Sequence, residues 1–217
     1  MSRHFQFNRV VSCKYESRLM RDRDVRQAVR EWLGAEHAGD DDTRLVEEMN
    51  LWSGTVRIDF AVINGALTGL ELKSDRDTLE RLPRQRAVYD RIFDYVSLIV
   101  GERHAAKAQP LIPKWWGVRV AVMSQGRVTL EWAQRPSFNP SPDAYLIAEL
   151  LNKREAIEVL AIHDLADRWR SKGIRAIHER LAAELTLDVL RAEVRSKLKA
   201  RPRGATAWLP EPARYAG

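Results

Sequence analysis

The sequence predicts an α/β protein, a mixed central sheet flanked by helices, with an all-helical C-terminal region. Three observations carry this expectation. Residues 55–63 (TVRIDFAVI) and 66–74 (ALTGLELKS) are alternating, β-rich runs either side of Asn64-Gly65, the pattern of a hairpin. Residues 96–100 (VSLIV) are wholly apolar, as in strands buried on both faces of an α/β sheet. From Asp143 to Ala200, leucines and isoleucines recur at helical spacing with no strand pattern.

The elements follow in order. Residues 17–34 read as a helix, with Leu19, Val25, Val29 and Leu33 on one stripe, arginines on the other faces and Gly34 as the stop. After a polar loop, 35–42, Asp42 or Thr43 is expected to cap a short helix, Arg44 to Asn50, with Leu45, Val46 and Met49 as its apolar side. Capping and loop solvation also account for Asp40-Asp41-Asp42. The hairpin is followed by a helix within Asp77–Tyr95, with Pro83 in the first turn of its main segment. A strand at 96–101, a helix from His104 to Ile112, a strand at 117–123 and a weaker one at 127–133 complete a core spanning residues 1–135. The linker 135–142 (RPSFNPSP) marks a boundary. Residues 143–200 form a basic helical region, and 201–217 read as a flexible tail.

Composition narrows the function classes. With 45% hydrophobic residues the chain is globular rather than disordered. A single cysteine, Cys13, rules out an internal disulfide or a Cys-rich zinc site. The five histidines show no HxxxH or HExxH spacing, and GxxxxGK[ST], GxGxxG and GxSxG are all missing. The charged N-terminus lacks the apolar core of a signal peptide, and no apolar run is long enough to span a membrane, so a soluble, cytoplasmic protein is expected. Net charge is +6, and residues 151–203 hold 13 Lys+Arg against 8 Asp+Glu, so most of the excess lies in the helical region. Arg168, Arg170, Lys172 and Arg175 there, with Arg76 and Arg84 beside the hairpin, are candidate contacts to a polyanion backbone. Trp115-Trp116 suits either base stacking or packing over a sheet edge.

The hairpin carries the chemistry. Matching Ile58 and Phe60 with Leu70 and Leu72 places Asp59, Glu71 and Lys73 together on the opposite face. A two-residue turn at Asn64-Gly65 would instead oppose Asp59 to Leu70. The pattern therefore predicts a three-residue loop or a bulge near Gly69. Carboxylates on a central sheet are costly unless paired or bound to metal.

Asp59…Glu71-Leu72-Lys73 has the order and spacing of a D…E-x-K nuclease motif. With Glu47-Glu48 on the expected helix upstream and Gln85-x-x-x-Tyr89 downstream, the chain resembles the PD-(D/E)XK nuclease superfamily. The Gln-Tyr pair is similar to the QxxxY element of RecB-like and lambda-exonuclease-like members. The run from Glu71 to Gly101 also resembles a family of bacterial and phage proteins placed in that superfamily. The resemblance covers roughly residues 40 to 123, and Ile58 stands where the family name has Pro.

The resemblance implies a restriction-endonuclease-like core. Asp59 and Glu71, with the Leu72 carbonyl, would hold Mg²⁺ or Mn²⁺ through hard oxygen ligands. Glu48, beside the Leu45/Met49 stripe, is favoured over Glu47 as a further metal carboxylate. Lys73 would position or activate water and neutralise charge on phosphorus, and Gln85 would take a polar role near the metal. The implied reaction is hydrolysis of DNA phosphodiesters, more as an endonuclease than an exonuclease, leaving 5′-phosphate and 3′-hydroxyl ends. RNA is the alternative substrate. Bacterial or phage origin, and a homo-oligomer or partner protein, belong to the same expectation. The rival reading is a non-catalytic module that binds nucleic acid or a partner on the same fold.

Overall fold

The computed structural model describes residues 20–202 and 207–208. Cys13 and the first residues of the expected N-terminal helix lie outside them. Strands β1 (Arg44–Leu51), β2 (Val56–Ile63) and β3 (Leu67–Lys73) form an antiparallel meander. Strand β4 (Tyr95–Gly101) runs parallel to β3, and β5 (Gly117–Ser124) parallel to β4. Strand β6 (Arg127–Gln134) returns antiparallel to β5. Ala207–Trp208 adds a two-residue edge strand, β7, so the sheet order is β6-β5-β4-β3-β2-β1-β7. The protein is thus a mixed α/β fold.

Helices cover both faces. Helix α1 (Asp22–Glu36) lays Val25, Val29 and Leu33 on Phe60, Val62, Leu70 and Leu72. It starts later than expected and runs past Gly34, because nothing at that position requires a helix stop. The other face is covered by α2 (Leu82–Ile92), which joins β3 to β4, and by α4 (Ala144–Ala148), α5 (Lys153–Ile162), α6 (Ile174–Glu184) and α7 (Leu187–Ala200). Helix α3 (Glu102–Ala108), with a 3-10 turn after it, links β4 to β5.

One apolar cluster runs from Ile58, Val88 and Leu98 into Leu146, Leu181 and Leu198, so the C-terminal helices share the sheet's core. The proline-rich linker is not a break in packing. Asn139 Nδ2 donates to the Asp90 and Phe93 carbonyls, each at 2.8 Å. Asp94, 2% exposed, accepts from Leu67 N at 2.8 Å and pairs with Arg191 at 2.9 Å and Arg195 at 3.5 Å. A buried carboxylate thereby ties α7 to the start of β3. Most of the expected tail lies outside the described residues, although Arg201 is pinned to Glu155 at 2.7 Å.

The short helix expected at Arg44–Asn50 is strand β1. Its alternation explains the error. Leu45 and Glu47 face α1 and Val46 the opposite side, but the alternation reverses at Glu48, whose φ is 53°. Met49 and Leu51 then join Val46's side, and apolar positions 45, 46 and 49 mimic helical spacing. Asp40 caps no helix. It accepts from Asp42 N at 3.1 Å and Thr43 Oγ1 at 2.7 Å in the turn that enters β1.

The hairpin pairs Ile63 with Leu67 and Phe60 with Leu70, leaving Asn64, Gly65 and Ala66 as a three-residue loop. Gly69 faces the buried Phe93 ring. A Cβ there would meet two ring carbons at 3.0 Å. Gly69→Ala is expected to cost about 1–3 kcal/mol by overpacking, read as a lower urea midpoint with an unchanged slope.

Candidate active site

Glu71 and Lys73 sit on β3, two residues apart and on the α2 side of the sheet. They are 1% and 4% exposed, since β2 and β4 flank the strand and α2 lies over it. Lys73 Nζ donates to Glu71 Oε1 and, at 3.2 Å, to Gln85 Oε1. Gln85 Nε2 donates to the same Glu71 oxygen at 2.7 Å. One helical turn later, Tyr89 OH is 2.7 Å from Glu71 Oε2 and 2.9 Å from the Arg57 carbonyl. The four-residue spacing puts Gln85 and Tyr89 on one face of α2. Tyr89 is both core, at 0% exposed, and site.

Asp59 stands where the hairpin strands part. The β2–β3 ladder ends at Phe60–Leu70. Beyond it, Asp59 Oδ2 accepts from Leu72 N at 2.9 Å, a side chain standing in for a strand partner. Its Oδ1 accepts from Arg26 Nη2 of α1, also at 2.9 Å. Arg26 lies 3.9 Å from Glu47, which Arg30 grips with two 2.7 Å hydrogen bonds. The arginines of α1 thus form a second charged layer behind the carboxylates. Helical periodicity alone places them only on the outer faces of a helix. Their four-residue spacing on the side flanking the apolar stripe was the available signal.

Glu48 is placed differently from the expectation. It lies on a strand, is half exposed and pairs with Arg57 at 3.2 Å. It falls opposite Asp59, at the one position the β1–β2 ladder skips, in a backbone conformation non-glycine residues seldom adopt. Among the described contacts it is Glu47 that connects to Asp59, through Arg26.

Burial, and secondarily the Asp59 charge, push the Glu71 pKa up. Lys73 and the hydrogen bonds from Lys73 and Tyr89 oppose the rise without cancelling it. Tyr89 is also raised, by burial and then by Glu71, so it stays a protonated donor. A carboxyl with a higher pKa folded than unfolded binds more protons in the native state between those two values. Stability therefore falls as pH rises through that window. The thermal midpoint of the wild type is expected to fall relative to Glu71→Gln as pH rises from the ordinary glutamate range toward neutrality. Parallel midpoints in calorimetry contradict this.

Among the described residues, no group of three or more His, Cys, Asp or Glu side chains is clustered to hold a metal. A divalent ion would draw on two carboxylates and a backbone carbonyl, with water or substrate completing the shell. The donors fit such an ion. All are hard oxygens, and among the described residues three of the four carboxylate oxygens accept one hydrogen bond each, leaving a lone pair apiece.

The six candidate backbone contacts are all exposed. Arg76 lies in the turn after β3, Arg84 in the first turn of α2, and Arg168, Arg170, Lys172 and Arg175 between α5 and the start of α6. Trp116 is fully buried, packed on Tyr89 with ring centroids 6.1 Å apart, and donates to Asp90 Oδ1 at 2.7 Å. It packs and cannot stack on a base.

The sequence profile of the family described as bacteriophage P4 protein cII matches residues 16–209. The chain belongs to the bacteriophage P4 cII family. The match takes in the sheet and the C-terminal helices together, and it bears out the phage origin expected from the sequence. Protein cII of Enterobacteria phage P4 is 26% identical to this cII-family chain over 190 residues, covering 84% of this chain and 68% of that one. A solved protein of unknown function from Silicibacter pomeroyi is 18% identical, with a TM-score of 0.41, covering 70% of this chain and 94% of that one. No helix among the described residues is long and apolar enough to cross a membrane.

Proposed function

We propose that this cII-family protein is a Mg²⁺- or Mn²⁺-dependent nuclease with a restriction-endonuclease-like core, cleaving DNA phosphodiesters as an endonuclease. The hydrogen-bonded cluster of Glu71, Lys73, Gln85 and Tyr89, with Asp59 bonded to the neighbouring Leu72 amide where β2 and β3 part, carries the reading. Asp59, Glu71 and the Leu72 carbonyl would hold the ion, which when bound supplies Lewis-acid polarisation of the phosphate and a more acidic water. The chain's own residues do the rest. Lys73 Nζ brings positive charge to where charge develops on phosphorus. Gln85, bonded to both Glu71 and Lys73, fixes their relative positions, and the protonated Tyr89 fixes the Glu71 carboxylate from its other oxygen. Exposed Arg76 and Arg84, with the basic segment 168–175, would bind the backbone in a salt-sensitive, weakly sequence-selective manner.

One observation favours a second reading. Arg26 on Asp59 and Lys73 on Glu71 balance both carboxylates without a metal, as in a module that binds nucleic acid or a partner without turnover. Plasmid cleavage with Mg²⁺ or Mn²⁺ separates the two. Wild type is expected to cleave, and Asp59→Ala and Lys73→Ala are not. Equal cleavage by all three refutes the site, and DNA binding without cleavage in either metal favours the second reading.

A further inference from the structure

We propose that Arg119, held in the corner formed by Trp32 and Trp132, is a phosphate-binding site for a nucleic-acid strand on the α1 face of the sheet. Arg119 is 8% exposed, yet among the described residues its guanidinium has no hydrogen bond and no ion pair. Its partners are two indole faces, Trp32 at 3.7 Å and Trp132 at 4.1 Å from the ring centroids. The two indoles meet edge to face, their centroids 6.4 Å and their planes 86° apart, and Arg135 also lies over Trp132, at 4.6 Å. The β5–β6 register shifts between Val118 and Arg119, an irregularity of the kind that re-aims a side chain.

This arrangement needs an anion. A buried guanidinium without a carboxylate is costly, and cation–π contact offsets only part of that cost. Burial accordingly lowers the Arg119 pKa, with Glu36 opposing through space and Arg135 adding to the decrease. Nε is buried and unpartnered in the corner between the two indoles, which leaves the two Nη groups of the planar guanidinium to meet a ligand. A planar pair of N–H donors matches two phosphate oxygens. Two guanidiniums sharing the Trp132 ring suit a chain of phosphates better than one small ion. The site does not depend on the nuclease reading, because a binding module would use it equally.

The test is fluorescence anisotropy of the full chain with a fluorescein-labelled DNA duplex in EDTA, where no cleavage intervenes, and with inorganic phosphate as a separate competitor. Arg119→Lys, which keeps the charge and loses the fork, is expected to weaken binding about tenfold. Arg119→Gln is expected to weaken it further and to reduce the slope of log affinity against log salt by about one. Arg135→Gln removes an exposed guanidinium and keeps the question open should Arg119→Gln fail to fold; about a threefold loss is expected. Unchanged duplex affinity in Arg119→Lys and Arg135→Gln overturns the proposal. Phosphate binding that depends on Arg119 while duplex affinity does not overturns the strand as occupant.

Discussion

Lys73→Met is expected to lower DNA cleavage by about 10²–10³-fold and to destabilise the fold by about 3–5 kcal/mol. The two effects have one origin. Glu71 is buried to 1% exposure, its pKa already pushed up by burial and by Asp59, and among the described residues Lys73 is its one cationic partner in contact. Removing the ammonium leaves an uncompensated charge that hydrogen bonds from Gln85 and Tyr89 only partly satisfy. Pairing Lys73→Met with Glu71→Gln removes the orphaned charge, so stability is expected to recover while cleavage stays lost. Urea unfolding and plasmid cleavage on the three variants separate structure from chemistry. A Lys73→Met protein with wild-type stability contradicts the description of the buried pair, whatever its activity.

Asp94→Ala is expected to have a comparable effect on stability, about 3–5 kcal/mol, with no direct part in chemistry. Asp94 compensates Arg191, itself 7% exposed, and satisfies the backbone N–H of Leu67. Arg195 supports it from the next turn of α7. Loss of the carboxylate strands a buried guanidinium and a buried amide at once, at the seam between the C-terminal helices and the sheet. Hydrogen exchange is expected to show α7 losing protection more than β4. Uniform loss contradicts a seam at this place. Asp94→Asn, which keeps an acceptor for Leu67 N, is expected to cost less.

The sheet and its carboxylates were legible where local chemistry and tertiary demand agree. The need to bring Asp59 and Glu71 together led to a three-residue loop, which the pairing of Ile63 with Leu67 shows, but the expected common face of Ile58 and Phe60 does not hold. Past the end of the ladder Ile58 joins the α2-side core, Phe60 stays with Leu70 and Leu72, and Asp59 bonds Arg26 of α1. Gln85 and Tyr89 were legible because a polar side chain on a sheet-facing helical stripe has to have a partner. Strand β1 was misread because its alternation reverses at Glu48, a tertiary feature set by Asp59 and the parting of the strands. The same reversal placed Glu47, and not Glu48, toward α1. The Trp32–Arg119–Trp132 group joins a helix to the β5–β6 hairpin, where Arg119 and Trp132 are cross-strand partners. No spacing rule connects Trp32 to that pair. The charge excess of the C-terminal helices was readable from composition, but their shared core with the sheet was hidden by a proline-rich linker that Asn139 stitches down.

Isothermal titration of the full chain with Mn²⁺ tests the central claim most directly. A single saturable site is expected in the wild type, lost in Asp59→Ala and in Glu71→Gln, with Glu48→Gln close to wild type because that side chain pairs outward with Arg57. No Mn²⁺ binding by the wild type, or binding unchanged by Glu71→Gln, contradicts a metal site on the two hairpin carboxylates.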